Sequence, residues 1–208
     1  MKNKDDVVIG VDVDGVLCNT RAGIISEIEQ TYDITIDRPL YGSNPDIPQI
    51  DSQLLPEVRD ILEHKFDIYS SFNPVEGSVE ALNTLNEKYT VHIITHRVID
   101  EDENRDGIGR VTRTWLKENG FNYTSFIDPT PRNKFQVKNI DVLIDDSIEN
   151  LLISQDNSDR HGIHFLRPHN IHTTEPNITL ASDYTNDSRE DISKNPRKQW
   201  DTIANQIL

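Results

Sequence analysis

The 208-residue chain has one cysteine, one methionine, nine lysines and no long apolar run, and each scarcity excludes something. A lone Cys18 cannot form an internal disulfide, which fits a reducing compartment. No segment approaches the ~18 consecutive apolar residues of a membrane-spanning helix. The polar start MKNKDD does not read as a signal peptide, so the expected location is cytoplasmic, with no membrane partner. The triplets opening at Asn122, Asn177 and Asn186 match the glycosylation pattern, but without a secretory route they read as chance. Bases are also scarce, 21 against 36 acids for a net charge of −15. Such a surface repels polyanions, and stable nucleic-acid binding is not expected. Of the acids, 23 are aspartate. An acid-rich, lysine-poor surface suits concentrated salt, where the screening length falls to ~3 Å at 1 M.

Apolar residues make up only 35% of the chain, yet they are concentrated in runs such as VVIGV, VHIIT and VLI, as in a folded protein. The length suits one domain, or one domain with an insertion, burying roughly 70% of its unfolded surface. Residues 7–13 read as a buried strand closed by Gly15, and 20–32 as a helix with Ile24, Ile25 and Ile28 inward and Thr20 as N-cap. Loop text with Pro39, Gly42, Pro45 and Pro48 follows, then a short helix over 53–65 and the polar-aromatic stretch FDIYSSFNP. Asn73-Pro74 has the form of a helix start, with Val79, Leu82 and Leu85 as the inner stripe.

Further strands are expected at 90–95, 124–127, 141–145 and 162–166. Helices are expected at 110–119, ended by Gly120, and at 148–155. The polar tail 168–194 reads as loop, and Asn195-Pro196 opens a last helix with Trp200, Ile203 and Ile207 on one face. This alternation predicts an α/β fold, a Rossmann-like parallel sheet with helices on both faces. Residues 1–18 and 74–208 would form its core, and 19–73 a small helical cap inserted after the first strand.

In an open parallel sheet the carboxyl ends of the strands share one crevice. Three of these ends are polar: Asp12 and Asp14 after the first, Thr95, His96 and Arg97 after the second, and Asp145 and Asp146 after VLI, with Lys134 between the last two. Carboxylates 4 Å apart repel by about 4 kcal/mol at an effective dielectric of 20, so a cation is required. Oxygen ligands without a Cys or His cluster point to Mg²⁺ completed by water and substrate phosphate. With an amine and a hydroxyl nearby, the set describes phosphoryl-transfer chemistry.

DVDGVL at 12–17, IIT at 93–95, Lys134 and LIDD at 143–146 resemble, in order, the four motifs of the haloacid dehalogenase superfamily of phosphohydrolases. Receiver domains combine similar residues, but in a different order. The resemblance implies that Asp12 is the nucleophile, forming an aspartyl-phosphate, and that Asp14 is the general acid and base. It implies that Thr95 and Lys134 hold the phosphoryl group. Mg²⁺ would be bound by Asp12, the carbonyl of Asp14 and Asp145, with Asp146 ligating through water or orienting the others. His96 is a further candidate phosphate contact.

Within the superfamily, the short cap, IDDSIENL, FLRPHN at 165–170 and the Trp200 helix are similar to the 5′-nucleotidase group that includes deoxyribonucleotidases. The implied substrate is a nucleoside monophosphate. The alternative is a polynucleotide 3′-phosphatase, which shares a TR-WL helix, here TRTWL at 112–116, but needs a basic groove. A noncatalytic nucleotide-binding regulator is the third reading. Tyr41, Phe66, Tyr69 and Phe72 either stack on a base or fill the cap's core, the more common fate of aromatics. Arg97 either touches phosphate or pairs with the acidic loop that follows.

DENRDG at 102–107 matches half of a calcium-binding loop but has Arg113 where the last acidic ligand belongs, so a solvated loop is favoured. The histidines at 161, 164, 169 and 172 are spaced unlike a metal site. Lys138 is the fallback for Lys134, and Cys18 reads as a packing residue. Oligomeric state is left open, a homodimer being among the arrangements allowed.

Overall fold

A computed structural model of the chain describes residues 7–35, 66–98, 105–152, 160–168, 170–171, 178–185 and 187–207. Tyr41, the expected helix at 53–65 and the acidic stretch 99–104 lie outside the described residues. The strands are β1 (Val8–Val11), β2 (Thr90–Ile93), β3 (Ser125–Phe126), β4 (Val142–Asp145), β5 (His161–His164) and β6 (Ile178–Leu180). They form one sheet in the order β3-β2-β1-β4-β5-β6, and every pairing is parallel. The helices are α1 (Thr20–Tyr32), α2 (Ser78–Lys88), α3 (Arg105–Glu118), α4 (Ile148–Leu152), α5 (Arg189–Ser193) and α6 (Pro196–Thr202).

The two-residue period of the strands sorts their side chains between two apolar layers. Ile9, Val11, Val91, Ile93, Val142, Ile144 and Ile163 pack with Leu82 and Leu85 of α2, Trp115 of α3 and Trp200 of α6. Leu143 packs on the other face with Phe135, Ile140, Ile148 and Leu151. A sheet covered on both faces needs apolar residues at nearly every position of its central strands, which is why VVIGV and VLI read as continuous runs.

Several local expectations are corrected. Asn73-Pro74 does not begin a helix: Pro74 bridges Cys18, Val75 N donates to Leu17 O at 2.7 Å and Asn19 N to Asn73 O at 3.0 Å. Helix α2 starts only at Ser78, after Gly77 at φ 82°. Thr20 is the first residue of α1 rather than its cap; Asn19 holds that position without a side-chain capping bond. Helix α3 begins at Arg105, so Asp106 and Gly107 are helical and that half of the calcium-loop match is lost. The tail expected to be loop carries β6 and α5. At α6 the reading holds, since Asn195 accepts from Lys198 N and Pro196 occupies the first turn.

Tyr69 and Phe72, from the segment leading into α2, join the same apolar cluster as β1 and β2. Phe72 is only 5% exposed and sits so close to Gly23 that a Cβ there would lie 2.2 Å from its ring. Its carbonyl accepts the indole N–H of Trp115 at 2.7 Å. Phe72 is therefore a packing residue here, as is Tyr69. Phe66 is half-buried and adjoins Gly107.

Candidate active site

The order β2-β1-β4 places three polar strand ends side by side. Asp12 N donates to Ile144 O at 3.0 Å, so the chain remains paired as it leaves β1. It then turns tightly, with Leu17 N and Cys18 N both bonded to Val13 O. Gly15 makes that turn at φ 75°, in the region open to glycine. A Cβ on Gly15 would lie 1.9 Å from Asp146 Oδ2, so the missing side chain also gives the Asp146 carboxylate its room.

Asp12, Asp145 and Asp146 each offer an oxygen within 4.8 Å of the others. Lys134 is buried between two of them, its Nζ 2.9 Å from Asp12 Oδ1 and 2.7 Å from Asp145 Oδ2. The contact to Asp12 is an ion pair lacking hydrogen-bond alignment, so Asp12 Oδ1 is left buried without a hydrogen-bond partner. Three carboxylates this close, an all-oxygen set, fit a hard cation. The aspartate triad can hold a metal ion. Lys134, rather than Lys138, is the lysine at the site.

The electrostatics follow from this crowding. Burial pushes the Asp12 carboxyl up to about 7; Lys134 offsets part of the rise, and Asp145 and Asp14 add to it. Burial also raises Asp146 well above the usual carboxylate range, reinforced by Asp145 and Asp12. For Lys134, burial favours the neutral amine, but Asp12 and Asp145 outweigh it and keep the ammonium charged beyond its ordinary range. Asp14 behaves differently. Burial would raise its carboxyl, but Arg97, aided by Thr20, holds it below the usual range.

The structure brings Arg97 to Asp14, a partner that neither sequence-level alternative named. Its Nε lies 3.1 and 3.0 Å from the two carboxylate oxygens and its Nη2 2.6 Å from Oδ1. Thr95, at the end of β2, is buried, and its hydroxyl accepts from Arg97 N at 3.3 Å. His96 is half-exposed, with Nε2 3.1 Å from Arg132 O; since a carbonyl only accepts, that nitrogen carries a proton.

Several supporting residues escaped the sequence reading. Asn150 Nδ2 lies 3.1 Å from both oxygens of Asp145, and Ser147 N donates to Oδ1 at 2.8 Å. The backbone carbonyl of Asp146 accepts from Asn170 Nδ2 at 2.8 Å and His164 Nε2 at 3.1 Å. Arg167 donates to Asn19 Oδ1 at 2.6 Å, joining this turn to the start of α1. The FLRPHN and IDDSIENL segments fix the acid pair, and that work depends on β4 and β5 being adjacent. Of TRTWL, Thr112, Trp115 and Leu116 face inward: Trp115 is fully buried, and Thr112 accepts from Arg97 Nη1 at 3.3 Å.

The fold has relatives among solved structures. A haloacid dehalogenase-like hydrolase of Streptococcus pneumoniae aligns at TM-score 0.51 and 12% identity, covering 76% of this chain and 84% of that one. The HAD hydrolase YfnB of Bacillus subtilis, described as bound to magnesium, aligns at 0.50 and 10%, covering 81% and 90%. The defluorinating L-2-haloacid dehalogenase Rha0230 aligns at 0.50 and 13%, covering 93% and 94%. Identities this low establish the shared fold alone. No curated protein sequence matches the chain. The family model described as 5′ nucleotidase, deoxy (pyrimidine), cytosolic type C protein matches residues 6–200. With nearly the whole chain matched, the protein belongs to this 5′-nucleotidase family, and its α/β sheet has the fold of the haloacid dehalogenase-like hydrolases.

Proposed function

We propose that the protein is a Mg²⁺-dependent phosphomonoesterase of the cytosol that dephosphorylates (deoxy)ribonucleoside 5′-monophosphates through a phosphate ester on Asp12. The observation that carries this reading is the convergence of Asp12, Asp145 and Asp146 within 4.8 Å around a buried Lys134, at the carboxyl ends of two adjacent parallel strands. The family match supplies the substrate class, and its cytosolic type agrees with the single cysteine.

Asp12 and Asp145, with the carbonyl of Asp14, would hold Mg²⁺ directly, and Asp146 would ligate through water or orient them. When bound, the ion neutralises the acid cluster and the charge developing on the transferred phosphoryl group. Asp12 attacks phosphorus while Lys134 favours its ionised form and meets a phosphate oxygen. Thr95 donates its hydroxyl proton to the phosphoryl group, with His96 at the rim. Asp14 protonates the leaving oxygen and then takes the proton of the attacking water. The insertion between β1 and β2 is the cap, and its aromatics, Tyr41 and Phe66 foremost, contact the base.

The test is phosphate release from all ribo- and deoxyribonucleoside monophosphates, with Mg²⁺ or with EDTA, beside a 3′-phosphorylated oligonucleotide and sugar phosphates. Mg²⁺-dependent activity on a subset of the nucleoside monophosphates is expected. Activity confined to the oligonucleotide would overturn the reading.

A further inference from the structure

The peptide that joins Asp146 to Ser147 is held at both ends. Its N–H donates to Asp145 Oδ1 at 2.8 Å. Its carbonyl, just past the end of β4, accepts from Asn170 Nδ2 at 2.8 Å and from His164 Nε2 at 3.1 Å. The ladder does not serve that carbonyl: β4 and β5 pair only as far as Asp145 opposite His164, and Phe165 N makes the last ladder bond, to Asp145 O at 2.9 Å. Side chains from the end of β5 and the turn after it take over.

His164 is the informative one of the two. It is fully buried, and its Nδ1 has no hydrogen-bond partner among the described residues. Since a carbonyl only accepts, Nε2 carries the proton, and Nδ1 is left buried and unpaired. Burying a polar atom that way is unfavourable, and a leucine would fill the place without it. What the imidazole supplies beyond packing is therefore the Nε2–H on Asp146 O. The Asn170 amide is spent at both ends, with Oδ1 accepting from Arg167 N at 2.7 Å and Nδ2 also reaching Phe165 O at 3.1 Å. The segment between the two residues is pinned to α6, because Gln199 accepts from Leu166 N at 2.6 Å and donates to Leu166 O at 2.9 Å.

A peptide plane turns as one rigid unit, so donors on its carbonyl fix where its N–H points. We infer that His164 and Asn170 are positioning residues for Mg²⁺: by gripping the Asp146 carbonyl they aim the Ser147 N–H at Asp145 and so orient the carboxylate of a direct ligand. They also fix the backbone from which the Asp146 side chain departs. This rests on the phosphatase reading above and extends it to two residues that touch neither metal nor substrate. Contacts that orient a ligand in this way are worth roughly 10- to 100-fold in metal affinity.

Isothermal titration of the metal-free protein with Mg²⁺ alone, without substrate, tests the inference. Two variants differ in where they place a donor. In His164→Gln the amide nitrogen can occupy the place of Nε2. In His164→Asn the shorter amide falls at the place of Nδ1 and leaves the Asp146 carbonyl with one donor. The Mg²⁺ dissociation constant is expected to rise about tenfold or more in His164→Asn and to stay within about threefold of wild type in His164→Gln. Asn170→Ala removes the other donor; it should also weaken binding about tenfold, and it guards against misfolding of His164→Asn. Urea melts in EDTA read the fold separately. A merely structural histidine would lower stability in both His164 variants without splitting them in Mg²⁺ affinity.

Wild-type Mg²⁺ affinity in folded His164→Asn or in Asn170→Ala would overturn the inference, as would equal losses in His164→Gln and His164→Asn. Wild-type protein that binds no Mg²⁺, or binds it and releases no phosphate from any nucleoside monophosphate, would instead overturn the phosphatase reading.

Discussion

Replacing Asp12 by asparagine should abolish turnover while stabilising the metal-free protein above pH 7. Asp12 is 5% exposed, and burial, opposed by Lys134 and reinforced by Asp145 and Asp14, raises its carboxyl from 3.8 to about 7. Below 3.8 the group is protonated in both folded and unfolded chains and contributes no pH dependence. Between 3.8 and 7 the folded protein holds a proton that the unfolded chain has released, so this group's contribution to stability falls as pH rises. Above 7 both are ionised and the loss is complete. At about 1.4 kcal/mol per pH unit, the penalty is on the order of 4 kcal/mol. Asparagine resembles the protonated acid in size and never ionises. Urea melts in EDTA should give similar stabilities for wild type and Asp12→Asn near pH 4. Near pH 8 the variant's midpoint should be higher by ~2 M, taking a slope of roughly 2 kcal/mol per M. Added Mg²⁺ should narrow the gap by stabilising the wild type, which keeps the full ligand set. A variant less stable than wild type at pH 8 in EDTA would refute the reasoning.

Gly15→Ala should lower Mg²⁺ affinity and kcat together, because the new Cβ would meet Asp146 Oδ2 at 1.9 Å on a backbone at φ 75°; isothermal titration and steady-state kinetics check this. Trp115→Phe removes the donor to the Phe72 carbonyl and leaves a void in the layer beneath the sheet, so thermal melts should show a loss of about 2–4 kcal/mol with the fold retained. Stability should rise between low and molar KCl, as expected where a net charge of −15 repels itself until it is screened; a flat response would remove the reading of the acidic surface.

The acid-bearing strand ends were legible because buried parallel strands must be apolar throughout, so Asp12, Asp14, Asp145 and Asp146 stand out where they stop. Lys134 was legible by its place among the ordered motifs. Its bridging of Asp12 and Asp145 was not, because that depends on β1 and β4 being neighbours. The Asn73-Pro74 signature misled for a physical reason: bonds from Leu17 and Asn19, more than fifty residues away, hold that segment extended, and the helix waits for Gly77. Thr20 misled in the same way, since its hydroxyl serves Asp14 rather than the helix end. Arg97 finds its partner 83 residues away in sequence, a distance that local spacing does not report. Strand β6 was missed because three residues, Ile178–Leu180, carry too short a pattern; pairing with β5 makes them a strand.

The central claim is that Asp12 is the group phosphorylated during turnover. Asp14→Asn, which should form the intermediate on a good leaving group and hydrolyse it slowly, can be mixed with p-nitrophenyl phosphate and Mg²⁺, quenched in acid, digested and read by mass spectrometry. The account predicts one phosphoryl group, on the peptide containing Asp12, at a level approaching one per protein and absent from Asp12→Asn/Asp14→Asn. A phosphoryl group on another residue, or sustained phosphate release by the Asp12→Asn variant, would contradict it.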